Sequence, residues 1–346
     1  FKTQFLGTGK EQNGGLAGDL GTGLKIGVEQ LPGIVTGLAD IALSPVSKMT
    51  GVNRPVSRAA DWLGEQTGFQ PANWAKQAEQ GYSPQYQEAK QNVHDAEGFL
   101  PTVGALVRNP RFIAGTVAES LPSMVAGMGI AGVGARAVMG AEKLAALRAA
   151  AAAGDGAALT QLGRAGALAG GVGEGVVTAG QQMSQTGYDV DPLLAAGTAT
   201  AAGIGTGAIG AVSGRLAAKM GISDVDSLAV TGLANRGVTS GAKGIAKNMA
   251  KGVFTEGVLE ELPQSMQEQI WQNVANGKPW DEGVSEQGAI GMMAGAVMGA
   301  GANIAPRSSP KPESKPVADD KEPVNLLSPD APKGTQGDLF GEGGTQ

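Results

Sequence analysis

About a third of this chain has either no side chain or a single methyl group: 57 of its 346 residues are Gly and 54 are Ala. The 42% hydrophobic content therefore overstates the core-forming material, because Ala supplies so much of it, and aromatics amount to only 4%. A conventional enzyme domain of this length buries more Phe, Tyr, Trp and Leu. Collagen is excluded, since Gly keeps no three-residue period and Pro numbers only 18. Wholesale disorder is excluded too, because Val, Leu, Ile and Met recur throughout. The mean hydropathy of −0.05 lies below that of an ordinary polytopic membrane protein. The remaining class is a helical chain whose small side chains let helix backbones approach closely.

Charge and special residues narrow the functions further. A net charge of −6 argues against a polycation wrapped on nucleic acid. Cysteine is absent, which removes disulfides, thiolate metal sites and Cys nucleophiles, and the single histidine, His94, removes multi-His metal sites. The chain starts at Phe1 with no basic-then-apolar leader and stops in a Gly-rich stretch. Both ends read as cut, so we expect a segment of a longer polypeptide whose activity can lie outside it.

The pattern divides the chain into a linker (1–15), amphipathic and polar helices (16–99), a Gly/Ala-rich helical domain (100–306) and a disordered Pro-rich tail (307–346). From Leu16 to Leu43, the residues Leu16, Leu20, Leu24, Val28, Leu31, Val35, Leu38 and Ile41 recur at steps of three and four, one face of a helix with a kink before Pro32. Asp19, Lys25 and Asp40 fall on its other faces. Pro55 reads as a helix start leading through Trp62 and Leu63. Residues 71–98 read as two surface helices broken at Gly81–Pro84. No strand alternation appears, and the fold class is all-α, with close-packed helical hairpins.

Two charge-free runs stand out, Pro192–Gly214 and Gln287–Pro306, of 23 and 20 residues. Both match the ~20 residues that span a bilayer core. Gly203/Gly207 and Gly210/Gly214 in the first, and Gly291/Gly295/Gly299 in the second, are spaced to stack on one helix face and pack another helix. Gly and Ala contribute little transfer energy, so the expected state is buried, tightly packed hairpins, with insertion as an oligomer as the alternative. A weak internal repeat accompanies the runs. Glu174-Gly-Val176 leads through Gln181, Gln182, Met183 and Gln185 into the first, and Glu256-Gly-Val258 leads through Gln264, Met266, Gln267 and Gln269 into the second.

Candidate catalytic patterns fail on their own chemistry. Gly127-Met-Gly129-Ile-Ala-Gly132 has dinucleotide-loop spacing, yet an Ala-rich helix follows where a second strand is required. Gly7-Thr-Gly9-Lys10 departs from a phosphate loop at Gln4 and Glu11. Glu119-Ser120 and Gly288-Ala-Ile-Gly291-Met-Met293 are similar to pieces of lytic transglycosylases, but they lie far apart, Ala294 stands in place of Gln and Asn276 in place of the acid. Glu119 reads instead as a helix-surface residue. No cofactor or metal site and no enzyme activity is expected.

Binding features are more numerous. Arg236, Lys243, Lys247 and Lys251 could meet DNA phosphates or anionic lipid headgroups. Trp271 and Trp280 flank the turn before the second run, as packing anchors or at a membrane interface. In the tail, Gln336-Gly-Asp338-Leu339-Phe340 is similar to the short peptide that bacterial sliding clamps bind: a Leu-Phe pair for an apolar pocket, with Gln setting the register.

Taken together, the long amphipathic helix, the Gln-rich helices, the Glu/Gln-then-glycine units and the Pro-rich tail resemble Gly/Ala-rich segments of phage DNA-ejection (internal virion) proteins and very large polyvalent phage proteins. The resemblance covers residues 14–306 and is one of texture, so it transfers no functional residue. It implies a non-catalytic virion protein that leaves with the DNA, self-associates with further copies and other virion proteins, and forms a conduit across the host envelope. Two other readings stay open: a pore-forming toxin-like membrane segment, and a scaffold whose tail recruits the sliding clamp.

Overall fold

The computed structural model describes residues 15–68, 70–220 and 242–304. Among them every regular element is a helix, as the periodicity predicts. In chain order these are α1 (Leu16–Ala42), α2 (Ser44–Thr50), α3 (Pro55–Thr67), α4 (Pro71–Glu79), α5 (Pro84–His94), α6 (Phe99–Arg108) and α7 (Pro110–Met139). There follow α8 (Ala141–Ala152), α9 (Gly156–Gln185), α10 (Pro192–Lys219), α11 (Ala242–Gly252), a π-helical turn (Val253–Glu261), α12 (Leu262–Ala275) and α13 (Val284–Ile304). Proline opens α2, α3, α4, α5, α7, α10 and α12, where its fixed φ suits the first turn and its missing N–H has no intrahelical partner to lose.

Helix α1 corrects two expectations. It runs unbroken through Pro32, and the chain bends by 66° at Leu43 instead, where Ser44-Pro45 starts a new helix. Its buried face is also turned away from the centre of the leucine stripe, leaving Leu20, Leu31, Leu38 and Ile41 at its half-buried edge. Asp19, Gly23, Ile26, Gly27, Ile34, Gly37 and Asp40 are buried, while Leu16, Leu24, Val28 and Val35 are exposed, Val35 to 67%.

The two aspartates explain this orientation. Asp19 accepts from Ser83 N (2.8 Å) and Ser83 Oγ (2.9 Å) at the start of α5, with Arg111 at 3.6 Å. Asp40 accepts from the backbone of Val56 (2.8 Å) and Ser57 (3.1 Å) at the start of α3, and from the Ser57 hydroxyl. Each carboxylate thus meets the positive end of a helix dipole and satisfies donors that the helix itself leaves orphaned. The two lie 21 residues apart, about 5.8 helical turns, and so point to nearly the same side. Arg54, beside Asp40, donates through Nη2 to Ser184 O (3.1 Å) and through Nη1 to Thr186 O, tying α3 to the end of α9.

A conventional core forms around α5. Tyr82 and Tyr86 stack at 3.7 Å, Phe112 tilts against Tyr86 at 5.8 Å, and Val93, Leu106 and Ile113 complete the cluster. The stretch 71–98 therefore does contain two helices, but α5 buries Tyr86, Ala89 and Val93 rather than lying on the surface. Glu119 is not a surface residue either: it is half-buried and accepts a hydrogen bond from the Tyr82 hydroxyl.

Candidate functional site

Helix α9 is the hub of the glycine-rich region, and its contacts show what the small residues do. A Cβ at Gly203 or Gly207 of α10 would meet the carbonyl oxygens of Gly175 and Gly171 of α9, and the reverse holds for those two glycines. The pairing 171 with 207 and 175 with 203 makes α9 and α10 an antiparallel hairpin whose backbones touch. On its other sides, Gly173 of α9 faces Gly127 of α7, and Gly180 faces Ile34 and Leu38 of α1. Gly210 lies against the Glu174 carboxylate, and Gly214 is buried.

The second run behaves alike. On α13, Gly291 abuts Ser265 and Glu261, Gly295 abuts Glu261 and the Glu256 carbonyl, and Gly299 abuts the Gly252 carbonyl. Helix α13 thus folds back on α12 and the π-helical turn, and Gly257 there touches Met292 and Ala296 of α13. Both Glu-Gly-Val units therefore lie in the first arm of a hairpin whose second arm is a glycine-spaced helix. All these glycines face helices of the same chain, so self-association through them would require a hairpin to open.

Polar side chains fill the remaining space along the inner face of α10. Gln264 Nε2 donates to Glu174 Oε2 (3.1 Å) and to Thr206 O (3.2 Å). Gln267 Nε2 donates to Ala202 O (3.1 Å) and Thr206 Oγ1 (2.8 Å). Thr206 and Thr178 both donate to Glu268 Oε1, at 2.6 and 3.2 Å, and Ser213 donates to Glu260 Oε2 at 2.5 Å. Burial pushes the Glu268 carboxyl above the usual carboxylate range, and the two threonine hydrogen bonds only partly oppose it. Among the described residues no group of three or more His, Cys, Asp or Glu is placed to hold a metal ion.

On α10 the outer face carries the large aliphatics that its inner face lacks. The buried residues of α10 are Ala, Gly, Thr and Ser with Pro192, whereas Leu193, Leu194, Ile204, Val212 and Leu216 are exposed, Ile204 to 68%. Helix α7 exposes Leu121, Val125 and Val133, and α9 exposes Leu168 and Val172. Among the described residues two helices are long and apolar enough to cross a membrane, Pro110–Arg136 and Pro192–Lys219, and a third is Leu16–Thr50 if the bent pair counts as one. Of the two charge-free runs only the first lies in such a helix. Pro110–Arg136 is not charge-free, since it carries Arg111, Glu119 and Arg136.

The remaining sequence candidates scatter. Lys247 is exposed, but Lys251 donates through Nζ to the Met220 carbonyl at the end of α10 (2.6 Å), so it caps a helix and is not free for phosphate. Lys243 belongs to α11, its side chain is outside the described set, and Arg236 lies outside the described residues, as do Gln336, Asp338, Leu339 and Phe340. Trp280 is exposed to 62%. The Gly127–Gly132 stretch is interior to the unbroken helix α7, with open space beside Gly129 and Gly132, which disposes of a phosphate loop there. Asp19, Asp40, Glu268 and the α9 glycines were not foreseen. The signal for the aspartates was present in their spacing and in the Ser residues beside Pro55 and Pro84. Compared with known proteins, the chain matches no family model, no curated protein and no solved structure.

Proposed function

We propose that this chain is a non-catalytic segment of a phage virion protein that enters the host envelope and, with further copies and other virion proteins, builds a conduit for DNA ejection. The phage assignment rests on the Gly/Ala-rich helical texture. The membrane part is carried by one observation: α10 buries only Ala, Gly, Thr, Ser and Pro192 while it exposes Leu193, Leu194, Ile204, Val212 and Leu216, and α1, α7 and α9 expose further Val and Leu beside their buried apolar residues. In water such outward aliphatics gain nothing, whereas in lipid they match the solvent, and small residues let the helices touch. Polar groups facing the bundle interior suit that setting, since hydrocarbon offers them no partner. Because the spaced glycines are engaged within the chain, copies would meet through outward faces such as Val125 and Val133 of α7.

Flotation of the full chain with anionic vesicles, read together with its mass, tests this reading. The expected result is an oligomer that floats with lipid and resists extraction by alkaline carbonate. Ile204→Ser with Val212→Ser should abolish flotation while leaving the unfolding free energy in urea within ~0.5 kcal/mol of wild type, because both side chains are exposed. A soluble monomer that ignores vesicles would end the membrane reading and leave a scaffold.

A further inference from the structure

A pocket of about 130 Å³ lies where α9, α12 and α13 meet, and every side chain lining it is Gln, Thr or Glu. Its one formal charge is the half-buried Glu268 carboxylate, whose Oε1 is held by Thr206 of α10 and Thr178 of α9. Exposed Gln185 and Gln287 mark the mouth. The glutamines are oriented by their amide nitrogens. Gln182 Nε2 donates to Glu268 O (2.7 Å), Gln269 Nε2 to Asn273 Oδ1 (2.9 Å) and Gln272 Nε2 to Gln185 Oε1 (3.1 Å). With these nitrogens engaged, each of the three residues offers its carbonyl oxygen as an acceptor. Glu268 keeps Oε2 as a further acceptor, and among the described residues no Lys or Arg lines the pocket. The wall is therefore rich in oxygen acceptors around a single negative charge.

We infer that this pocket binds one monovalent alkali cation, held by the Glu268 carboxylate, the Thr178 hydroxyl oxygen and the carbonyl oxygens of Gln182, Gln269 and Gln272. Hard cations take oxygen ligands, and the balance of charge selects the valence: one carboxylate neutralises one unit charge, whereas sites for divalent calcium gather several carboxylates. The volume accommodates an ion with part of its water shell. The end of α9 supplies a favourable field as well. Gln181, Gln182 and Gln185 stand in its last turn, which carries no basic residue of its own, and the negative end of the helix dipole attracts positive charge. The Arg54 guanidinium exploits the same helix end from its other side, through Ser184 and Thr186. A bound cation also answers the burial of Glu268, whose charged form otherwise lacks a counter-charge in the pocket. This inference does not depend on the envelope reading, and the site would operate in either a soluble or a membrane-embedded chain.

Thermal melts of the full chain in sodium, potassium and N-methylglucamine chlorides of equal ionic strength test it, the last cation being too large to enter. A midpoint about 2–4 °C higher in one or both alkali salts is expected, together with sodium-23 line broadening that a competing alkali ion reverses. Glu268→Gln, which keeps shape and threonine contacts, should remove both the shift and the broadening. If that variant fails to fold, Gln269→Leu on the pocket wall decides, with a weakened shift expected. Equal midpoints in all three salts, or a shift that survives Glu268→Gln or Gln269→Leu unchanged, overturns the inference and leaves a pocket that holds only water.

Discussion

The cluster around α5 and the hairpins around α9 solve the same packing problem in opposite ways. In the first, Tyr82, Tyr86, Phe112, Leu106 and Ile113 fill space with large side chains, and stability comes from apolar area removed from water. In the second, Gly171, Gly175, Gly203 and Gly207 remove side chains altogether, so that two backbones touch along the length of a helix pair. There the gain is dispersion between many close atoms and a satisfied polar seam. The difference teaches where each region is vulnerable. The tyrosine cluster suffers when atoms are taken away, and the glycine hairpins suffer when atoms are added.

The largest effect is therefore expected from addition. Gly203→Leu would drive a side chain into the Gly175 carbonyl and the Ala179 side chain, and neither can retreat without parting the helices. We expect a loss of about 4 kcal/mol or more in urea unfolding. Its control lies on the same helix: Gly197 has open space around its missing Cβ, so Gly197→Ala should instead gain about 0.5–1 kcal/mol through helix propensity. Equal responses at 197 and 203 would break the comparison, because backbone contact could then no longer be what distinguishes them.

Removal should come next in size. Tyr86 is almost wholly buried, stacked on Tyr82 and packed over Gly115, and Tyr86→Ala leaves a cavity that Gly115 cannot fill. A cost of about 3–5 kcal/mol is expected from the same urea titration. A loss below ~1 kcal/mol would mean that the cluster is less tightly packed than its ring geometry shows, and the two regions would then differ in composition alone.

The helical class and several helix starts, such as those at Leu16 and Pro55, were legible in the sequence because they depend on local rules: proline in first turns, three-and-four spacing, and the absence of alternation. Orientation was not legible. The leucine stripe of α1 obeys the periodicity of a core face, but Asp19 and Asp40 decide which side turns inward, since each meets a helix N-terminus brought from elsewhere in the chain. Glycine spacing likewise showed which faces of α10 and α13 are smooth. It could not show that α9 and the α12 hairpin arm cover them, because a four-residue step reads the same within a chain as between copies. Glu268 was hidden for a related reason. It looks like any other charge in a Gln-rich helix until Thr178 and Thr206, ninety and sixty-two residues away, close on it.

The smallest effect concerns the end of the α9–α10 hairpin rather than its middle. Asp191 caps α10 through the N–H groups of Leu193 and Leu194 and also accepts from Lys48 Nζ of α2. The Lys48 hydrogen bond, with the two backbone N–H groups, holds its carboxyl below the usual carboxylate range. A depressed folded-state value means that the stabilisation is fully present above the unfolded value of 3.8 and disappears as the pH falls through the lower folded one. Asp191→Ala should accordingly lower the urea midpoint slightly near neutrality, and the gap from wild type should narrow as the pH is taken below 3.8 and as salt screens the exposed pair. If backbone contact holds the hairpin, this end fastening contributes far less than Gly203. A loss at neutral pH that rivals Gly203→Leu would shift the source of cohesion from the glycine seam to the hairpin's polar end, and a small loss that ignored both pH and salt would assign Asp191 a purely conformational role.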